Sequence, residues 1–589
     1  MERQTIYTRA LDKDDEWDGI VEFSQNRTLY IDQFVSKETL SVRDFTPFQA
    51  ESMEQVFERY KPSKEIELKT EEGASLYEQF FFCSLEDFED EQLIAHCELL
   101  ATEVDKIDTY NSIIFQLERN KALRDTIGNE AARGKLRDVV VSLLAELMQV
   151  GYKNGTEEGR QEERNPEEAK AFALLKGFVK NIGNMDPSRR AAKNIFLTDA
   201  SYADVRRRLA NDLMLWKAIL EDSQSGPREI VEGCKNKRDQ LELNLQNNLY
   251  GIHDEARQLE VAYRTLDAFF NNSAQGDNGF LVIMNVSKEE LQSYDSNDTN
   301  AICNELKKYY DALSLKESYS LLVMPGYLGD PSKIRMWAET AHKNKVILVT
   351  DFKDCSSFEE LRGELWDSPV QGSDMCLAHV IVTCNYLLGR KRSELAKEDD
   401  DVYMPGSGAL AGRLANTKEI VIAQGVVGKD FGLLDNVAGT RLNLLKSEIS
   451  SLVDQGVVPL VEEDGRTLAF SNRSLYNGSA FSLQEYPIVR VLDWVNKVLM
   501  NYMHEIALET WDPYMSPKKL EGKIRNFLDH YRGYQLLFSN YKLGLPEQDP
   551  VTKIVKVDVS ITPFFAAKNF VIKLEADNKR HVDAQTTTE

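Results

Sequence analysis

The chain has 589 residues, enough for about four domains at roughly 150 residues each. Its 96 acidic and 71 basic residues give a formal net charge of −25, which argues against nucleic acid as the main partner, because phosphate backbones select basic surfaces. No stretch of eighteen apolar residues predicts a transmembrane helix, and no secretory signal is visible at the start. The seven cysteines are scattered, as expected for reduced thiols. We therefore expect a cytoplasmic protein that does not insert into a membrane.

The acidic excess is concentrated near the start of the chain. Residues 1–150 hold 32 acidic and 17 basic residues, a net charge of −15. Residues 151–168 follow, with three glycines and almost no apolar side chain. Such a segment buries too little surface to offset its ordering entropy, so we predict a linker there. The alternative is a solvated loop within one domain.

The first 150 residues combine short strands with helices. Residues 27–48 are predicted to be extended, and 50–60 to form a helix that ends before Pro62. Residues 65–68 and 79–83 are predicted strands on either side of a turn at Gly73. Apolar residues at helical spacing then predict helices as far as 149.

Further helices are predicted after the linker. Asn165-Pro166 is typical of a helix N-terminus, and helical patterns continue to about residue 270. From residue 280, short apolar strands alternate with helices. This alternation predicts a doubly wound α/β layer with a largely parallel sheet. The predicted strands are 280–286, 320–327, 345–352 and 379–386.

The last part of the chain predicts mixed structure. Asp464-Gly465 between two apolar runs is a hairpin signal, and 489–510 is predicted to be a long apolar helix. A basic-faced helix is predicted to begin at Ser516-Pro517. Residues 551–561 and 568–576 are predicted strands close to the end. Such strands can pair with a neighbouring chain, because an edge strand leaves backbone groups unpaired, or they can pair within their own domain.

Motifs for catalysis or ligand binding are weak. Gly406, Gly408 and Gly412 lack the spacing and the lysine of a phosphate loop, so a tight turn with close packing is the preferred interpretation. Asp351 ends a predicted strand, where a structural hydrogen-bond role is the more common one. The acidic residues of 397–401 are typical of a solvated loop rather than a cation site. We therefore predict a mixed α/β protein with no catalytic residue, no cofactor and no metal ion.

Several segments resemble contractile tail sheath proteins. YMPGSGALAGRLA at 403–415 resembles the "PSG-x-x-AG" signature of these sheaths, and 442–476 is similar to their helix, turn and hairpin. The pattern continues in register over about 280–576. Residues 168–270 resemble the helical lead-in of the type VI secretion sheath large subunit, in its divergent Bacteroidetes-type form. Here Tyr263 and Thr265 stand where that family has tryptophan and glycine.

The N-terminal part resembles the small sheath subunit. Residues 48–62 match its helix that ends in proline, and 80–93 match its "L-x-F-x-S-x-x-DF-x-P" pattern through Phe82, Ser84, Asp87 and Phe88. The expected proline is replaced by Glu89 or Asp90. The resemblance therefore implies small and large subunits joined in one polypeptide, with the linker at their junction.

The resemblance divides the chain into five parts. They are a small-subunit-like region at 1–150, the linker at 151–168, a helical lead-in at 169–278, an α/β sheath domain at 279–400, and a C-terminal sheath domain at 401–589.

The resemblance implies a mechanical role rather than an enzymatic one. The chain would polymerise with itself into a helical sheath around inner-tube hexamers, on a baseplate, and would contract to propel the tube and its effectors. A small sheath subunit, or its fused equivalent, is implied as a partner. An AAA+ unfoldase that recycles contracted sheath by a helix near 165–182 is also implied. The alternatives are a phage-like tail sheath, an α/β nucleotide-binding enzyme and an unrelated scaffold.

Two groups of residues are predicted to make the assembly contacts. An N-terminal segment at 27–35 is expected to join the exchange strands. The residues that we assign to strand exchange are Val551, Ile554, Val555, Val557, Val559, Ile561, Phe570, Ile572 and Leu574. The candidates that face the inner tube are Lys518, Lys519, Lys523 and Arg525, and a solvated basic helix face is the equally weighted alternative.

Overall fold

Long helices and one large sheet make up most of the described chain. The computed structural model describes residues 20–23, 26–36, 46–149, 166–186, 188–221, 226–273, 281–293, 297–416, 421–507, 509–533, 536–549 and 551–565. The helices in these residues are α1 Met53–Tyr60, α2 Asp90–His96, α3 Glu98–Arg119, α4 Lys121–Ile127, α5 Glu130–Gln149, α6 Pro166–Lys176, α7 Arg190–Thr198, α8 Ala203–Glu221, α9 Pro227–Asn272, α10 Asn297–Tyr310, α11 Pro331–Lys343, α12 Phe358–Asp367, α13 Ser407–Ala415, α14 Gly428–Phe431, α15 Lys446–Asp454, α16 Tyr486–Glu505 and α17 Ser516–His530.

The strands are shorter, and most of them join one sheet. They are β1 Thr28–Asp32, β2 Phe48–Gln49, β3 Ser63–Lys69, β4 Ser75–Phe81, β5 Leu281–Asn285, β6 Leu321–Tyr327, β7 Ile347–Asp351, β8 Val380–Cys384, β9 Leu387–Arg390, β10 Val402–Met404, β11 Leu433–Leu434, β12 Val458–Glu463, β13 Arg466–Ala469, β14 Asn540–Leu543, β15 Glu547–Gln548, β16 Val555–Lys556 and β17 Val559–Thr562.

The large sheet has nine strands in the order β11-β13-β12-β8-β7-β6-β1-β5-β2. The six strands from β12 to β5 in this order run parallel, and the three others pair antiparallel with their neighbours. The four predicted strands of the α/β layer are confirmed as β5 to β8. The hairpin at Asp464-Gly465 is confirmed as well, since both residues have positive φ, 53° and 71°, as a type I′ turn requires.

The N-terminal part of the chain supplies a central strand to this sheet. β1 lies between β5 and β6, pairs in parallel with both, and is buried along its whole length. The prediction that 27–35 serves as an exchange segment is therefore wrong for this structure. Those residues already have neighbours on both edges, so an exchange would require the sheet to open.

A second apolar core lies among the helices, and the N-terminal region and the lead-in share it. α9 is 46 residues long. α3 and the β3–β4 hairpin pack against it, and α5 packs against α8. The predicted helix at Asn165-Pro166 is confirmed as α6, so 166–168 are helical, while the remainder of the predicted linker, 151–165, lies outside the described residues.

A third core joins the C-terminal elements. α16 and α17 pack through Trp494, Phe527 and Tyr531, with the Trp494 and Tyr531 rings 5.0 Å apart and at 81°. Ile20 is buried in the same cluster, and the Trp494 indole N–H donates to the carbonyl of Phe23 at 3.2 Å. The C-terminal region therefore holds a short piece of the N-terminus.

Lys497 on α16 provides a test of this packing. Burial lowers its pKa from 10.5 to about 8, and its ammonium donates to the carbonyl of Tyr319 at 2.7 Å. The folded protein thus loses this proton at a lower pH than the unfolded chain. We expect Lys497 to contribute a rise of about 3 kcal/mol, as an order of magnitude, to the free energy of unfolding as the pH increases from about 8 to about 10.5. In K497M this rise should be absent, which urea unfolding of both proteins across the pH range would measure. Parallel pH curves would contradict the prediction.

Candidate assembly site

The glycines at 406–412 bring two helices into backbone contact. A Cβ on Gly408 would lie 2.3 Å from the carbonyl oxygen of Thr265, and one on Gly412 would lie 2.3 Å from that of Phe269. Both glycines therefore face α9, and the crossing of α13 with α9 depends on them. The close-packing interpretation is confirmed. The phosphate-loop interpretation is not supported, since the helix backbone of α9 occupies the space beside these glycines.

Asp351 holds the start of α13. Its carboxylate accepts hydrogen bonds from the backbone N–H groups of Gly326, at 2.8 Å, and Ser407, at 2.9 Å. The hydroxyls of Ser407 and Thr383 also donate to it. Burial raises the pKa of this carboxyl, and these four donors oppose that shift. The predicted structural role is confirmed, because every contact of Asp351 ties a strand end or helix start to β7.

A buried ionic network joins three parts of the chain. Arg390 Nε lies 2.7 Å from Glu260 Oε1 on α9, and its Nη1 lies 2.8 Å from Glu398 Oε2. Its Nη2 lies 3.2 Å from His253 Nδ1, and the other nitrogen of that ring lies 2.7 Å from Asp90 in the N-terminal region. The side chains of Glu260 and Glu398 are 1% and 0% exposed. This ionic network therefore connects the N-terminal region, α9 and the segment 390–398.

The acidic run 397–401 takes part in these structural contacts. Burial opposes the charged form of Glu398, but hydrogen bonds from Arg390 and Ser393 lower its pKa overall. Asp400 pairs with Arg441 at 2.7 Å, and Asp401 accepts from the backbone N–H of Arg392. Across the described ranges, no group of three or more His, Cys, Asp and Glu side chains could hold a metal ion.

The predicted C-terminal strand is split in two and pairs within the chain. β16 pairs antiparallel with β15, and β17 pairs antiparallel with β14. Val555, Val557, Val559 and Ile561 alternate with exposed residues and pack on the C-terminal core. Val551 and Ile554 lie outside the strands and are 85% and 58% exposed. The exchange residues Phe570, Ile572 and Leu574, with the whole predicted strand 568–576, lie outside the described residues.

The sheet of β14 and β17 has an open edge among the described residues. In the described part of the chain, β17 has β14 as its single neighbour. Gly544 N–H donates to the carbonyl of Asp558 at 2.8 Å, and the pairing register places Lys542 opposite Ser560. In an antiparallel pair, inward and outward backbone groups alternate. The N–H groups of Val559 and Ile561 therefore point away from β14, toward an edge that another strand can occupy.

The basic helix α17 separates the four predicted tube-facing residues into two groups. Lys518, Lys519 and Lys523 line a groove of about 240 Å³ together with Ile20, Glu22 and His530, and we call this the basic groove. Arg525 lies elsewhere on the helix and pairs with Glu521 at 2.5 Å. Among the described residues the three lysines have no carboxylate within 4.0 Å, and the ammonium of Lys523 lies 5.7 Å from the Tyr502 ring centre.

Sequence reasoning did not find the ionic network or the aromatic contact at Tyr263. Tyr263 stacks on Phe57 of α1 with ring centres 4.4 Å apart, and its hydroxyl donates to the carbonyl of Phe34 at 3.1 Å. These contacts join residues about 200 positions apart. The departure from the family tryptophan at Tyr263 was the one signal in the sequence.

Family models match three consecutive segments of the chain. The N-terminal region of the TssC/VipB-like family matches 160–249, the central domain of type VI secretion system TssC/VipB matches 252–477, and the TssC/VipB-like C-terminal domain matches 485–588. Together they match 420 of the 589 residues. The chain belongs to the TssC/VipB family. It is thus a structural sheath component of a contractile injection system, as the resemblance implied.

Solved sheath structures are similar at low identity. The helical sheath of the anti-feeding prophage in its contracted state is 12% identical, with 54% of this chain and 82% of that chain covered and a TM-score of 0.40. The contracted sheath complex PVC of an extracellular contractile injection system is 12% identical over 54% and 81%, with a TM-score of 0.39. A sheath tail protein from Listeria innocua is 12% identical over 46% and 58%, with a TM-score of 0.32.

No curated protein sequence matches the chain. In the described parts of this TssC/VipB chain, no helix combines the length and the apolar character that a membrane crossing needs.

Proposed function

We propose that this TssC/VipB protein polymerises in the bacterial cytoplasm around an inner tube of secreted hexamers, on a baseplate, and contracts to propel the tube. The observation that carries the proposal is that, within the described ranges, β17 has a free edge in a member of a sheath family. Backbone hydrogen bonds across an added strand are directional and tolerate many sequences, so they can link subunits that rotate against each other. Contraction would then be a switch between two packings of the same interfaces.

We propose further that residues 1–150 act as a built-in small sheath subunit. The three family matches begin at residue 160, while the N-terminal region contacts the family part through buried polar groups. Asn248 on α9 accepts from the backbone N–H of Lys69 at 2.8 Å and donates to its carbonyl at 2.9 Å. Arg133 on α5 donates to the carbonyls of Ile219 and Leu220. These hydrogen bonds from buried side chains to backbone groups fix how the two parts pack, as expected for subunits of one permanent complex.

Electron microscopy of the chain expressed alone tests the first proposal. We expect the chain expressed alone to form tubular assemblies in negative-stain electron micrographs, and deletion of 551–576 to abolish them. Small monodisperse particles from the full chain would contradict self-sufficient assembly. An ATP analogue that raised the melting temperature of such particles would instead support the nucleotide-binding alternative.

A single proline distinguishes exchange from local folding. In I561P the missing N–H is one that points to the open edge, so the β14–β17 pairing should survive while tubes are lost. In S560P the missing N–H is the one directed at Lys542, so the local pairing should be lost as well. I561V keeps both the backbone donor and the apolar side chain and should still form tubes. Hydrogen exchange of the 540–543 amides and electron microscopy would measure the two effects. Tubes formed by I561P would exclude exchange at this edge.

The basic groove is our proposed contact with the inner tube. We expect K518E/K519E/K523E sheaths to assemble but to retain little inner-tube protein in co-sedimentation. Each exposed charge pair contributes less than about 1 kcal/mol, but the contact recurs in every subunit. K121E/K307E/K446E makes the same charge change at exposed positions and should retain the tube. Equal retention by both variants would exclude the groove as the tube contact.

Recycling by an AAA+ unfoldase would involve α6 in this proposal. Phe172 and Leu175 of this helix are buried in the helical core, so it would have to leave that core before an unfoldase could grip it. Contraction of the sheath would have to release α6 from the helical core.

A further inference from the structure

The basic groove has a candidate occupant within the same chain. The N-terminal acidic segment, residues 12–18, reads DKDDEWD and holds five carboxylates and one lysine. It lies outside the described residues and is followed by Gly19 and then by Ile20, which lines the groove. We propose that the N-terminal acidic segment docks in the basic groove of its own chain.

The position of Ile20 limits where the preceding residues can go. Ile20 is 9% exposed in the C-terminal core, and the Trp494 N–H holds the carbonyl of Phe23. The chain therefore enters this region beside α17. Seven residues span at most about 25 Å when extended, and a 15-residue helix such as α17 is about 22 Å long. The segment can thus reach every lysine of the groove from its anchor at Ile20.

The charges of the groove and the segment are complementary. Lys518, Lys519 and Lys523 have no carboxylate within 4.0 Å among the described residues, and Glu22 already places one carboxylate of the N-terminal chain in the groove. The N-terminal acidic segment adds a net charge of −4 directly before that point. Trp17 adds an aromatic ring, which lysine ammonium groups and their methylene stems bind favourably.

Because the N-terminal acidic segment is tethered beside the basic groove, weak ion pairs are enough to hold it there. Each exposed ion pair is weak and is screened by salt, since the Debye length is about 10 Å at 0.1 M. A segment anchored next to its site has an effective concentration in the millimolar range, so it occupies the groove without high intrinsic affinity. The contact is therefore reversible and salt-sensitive. If the proposed tube contact is correct, the segment covers that surface until the tube displaces it. The docking itself does not depend on that role.

Zero-length crosslinking of the full chain tests the docking. A carbodiimide joins a carboxylate to a lysine only when the two groups touch. We expect crosslinked peptides between 12–18 and Lys518, Lys519 or Lys523, and their loss at high salt. In an equal mixture of ¹⁵N-labelled and unlabelled chains, the crosslinked pairs should be all light or all heavy. Mixed pairs would mean that a second copy fills the groove, and absence of the crosslinks would mean that the segment does not; either result overturns the proposal.

A variant that removes three negative charges from the N-terminal acidic segment provides the second measurement. In D14N/D15N/E16Q we expect the three groove lysines to react severalfold faster with an amine-acetylating reagent, because their cover is lost. E157Q/E158Q/E162Q removes three charges from another acidic segment and should leave the three rates unchanged. Lys121 and Lys446 serve as exposed reference lysines in each protein. Equal groove-lysine rates in wild type and D14N/D15N/E16Q would overturn the proposal, and tube retention is measured separately so that failure of the tube contact is recognised as such.

Discussion

Replacement of Gly412 by valine is expected to lower the free energy of unfolding by at least about 3 kcal/mol or to prevent folding. The reason is that a Cβ at this position would lie 2.3 Å from a backbone oxygen of α9, which cannot move aside as a side chain can. Displacing α13 would also break the contacts of Ser407 with Asp351 at the start of that helix. Urea unfolding followed by circular dichroism measures the loss.

A second glycine provides the control with the opposite sign. Gly363 lies inside α12, and a Cβ there would have no neighbour within 4 Å. We expect G363A to raise stability by about 0.5–1 kcal/mol, because alanine restricts the unfolded chain and favours helix. If G412V and G363A had similar effects, close packing would not be the reason for glycine at 412.

Replacement of Arg390 by methionine is expected to cost about 3–5 kcal/mol, because two buried carboxylates lose their shared cation. Burial acts against the charge of Arg390, but the hydrogen bonds that it donates to Glu260 and Glu398 raise its pKa overall, so it stays charged at any ordinary pH. The melting temperature and urea midpoint of R390M measure this effect. R392M is the matched control: the Arg392 side chain is 51% exposed and lies 3.6 Å from Glu394, so its loss should change stability by less than about 0.5 kcal/mol.

A triple variant separates the charge effect from packing. R390M/E260M/E398M removes the three central charges of the network, and replacing buried charges together by apolar side chains is often neutral. Of the two arginines that also contact these carboxylates, Arg257 is 37% exposed and Arg264 keeps its pair with Glu89. We expect this variant to recover most of the stability that R390M loses. A triple variant less stable than R390M would show that the carboxylates act through partners other than Arg390.

The α/β part of the fold could be predicted because its signals are local. Apolar runs of five to seven residues marked β5 to β8, and Asp464-Gly465 marked the hairpin. β1 has the same kind of signal in Leu29, Tyr30 and Ile31, yet its neighbours in the sheet are more than 250 residues away in sequence. No local pattern specifies such a pairing, and the extended segment was therefore assigned to exchange.

In the candidate assembly site, too, local features could be predicted and features set by distant residues could not. Alternation correctly predicted which face of 555–561 packs inward, because that depends on neighbouring residues alone. It did not show the break between β16 and β17, since pairing with 540–548 determines that. The lysines of α17 were identified from spacing, but the groove also needs Ile20 and Glu22 from the other end of the chain.

The central position of β1 also affects how the protein is made. A ribosome completes residues 28–32 early, but both sheet neighbours of β1, as far as Tyr327, are synthesised only about 300 residues later. The nascent chain must keep this apolar segment from aggregation until then, and folding of the sheet will be slow because its contacts are distant in sequence. Once the sheet has closed, a protease cut within 151–165 would leave two polypeptides that stay interlocked through a strand in the middle of a shared sheet.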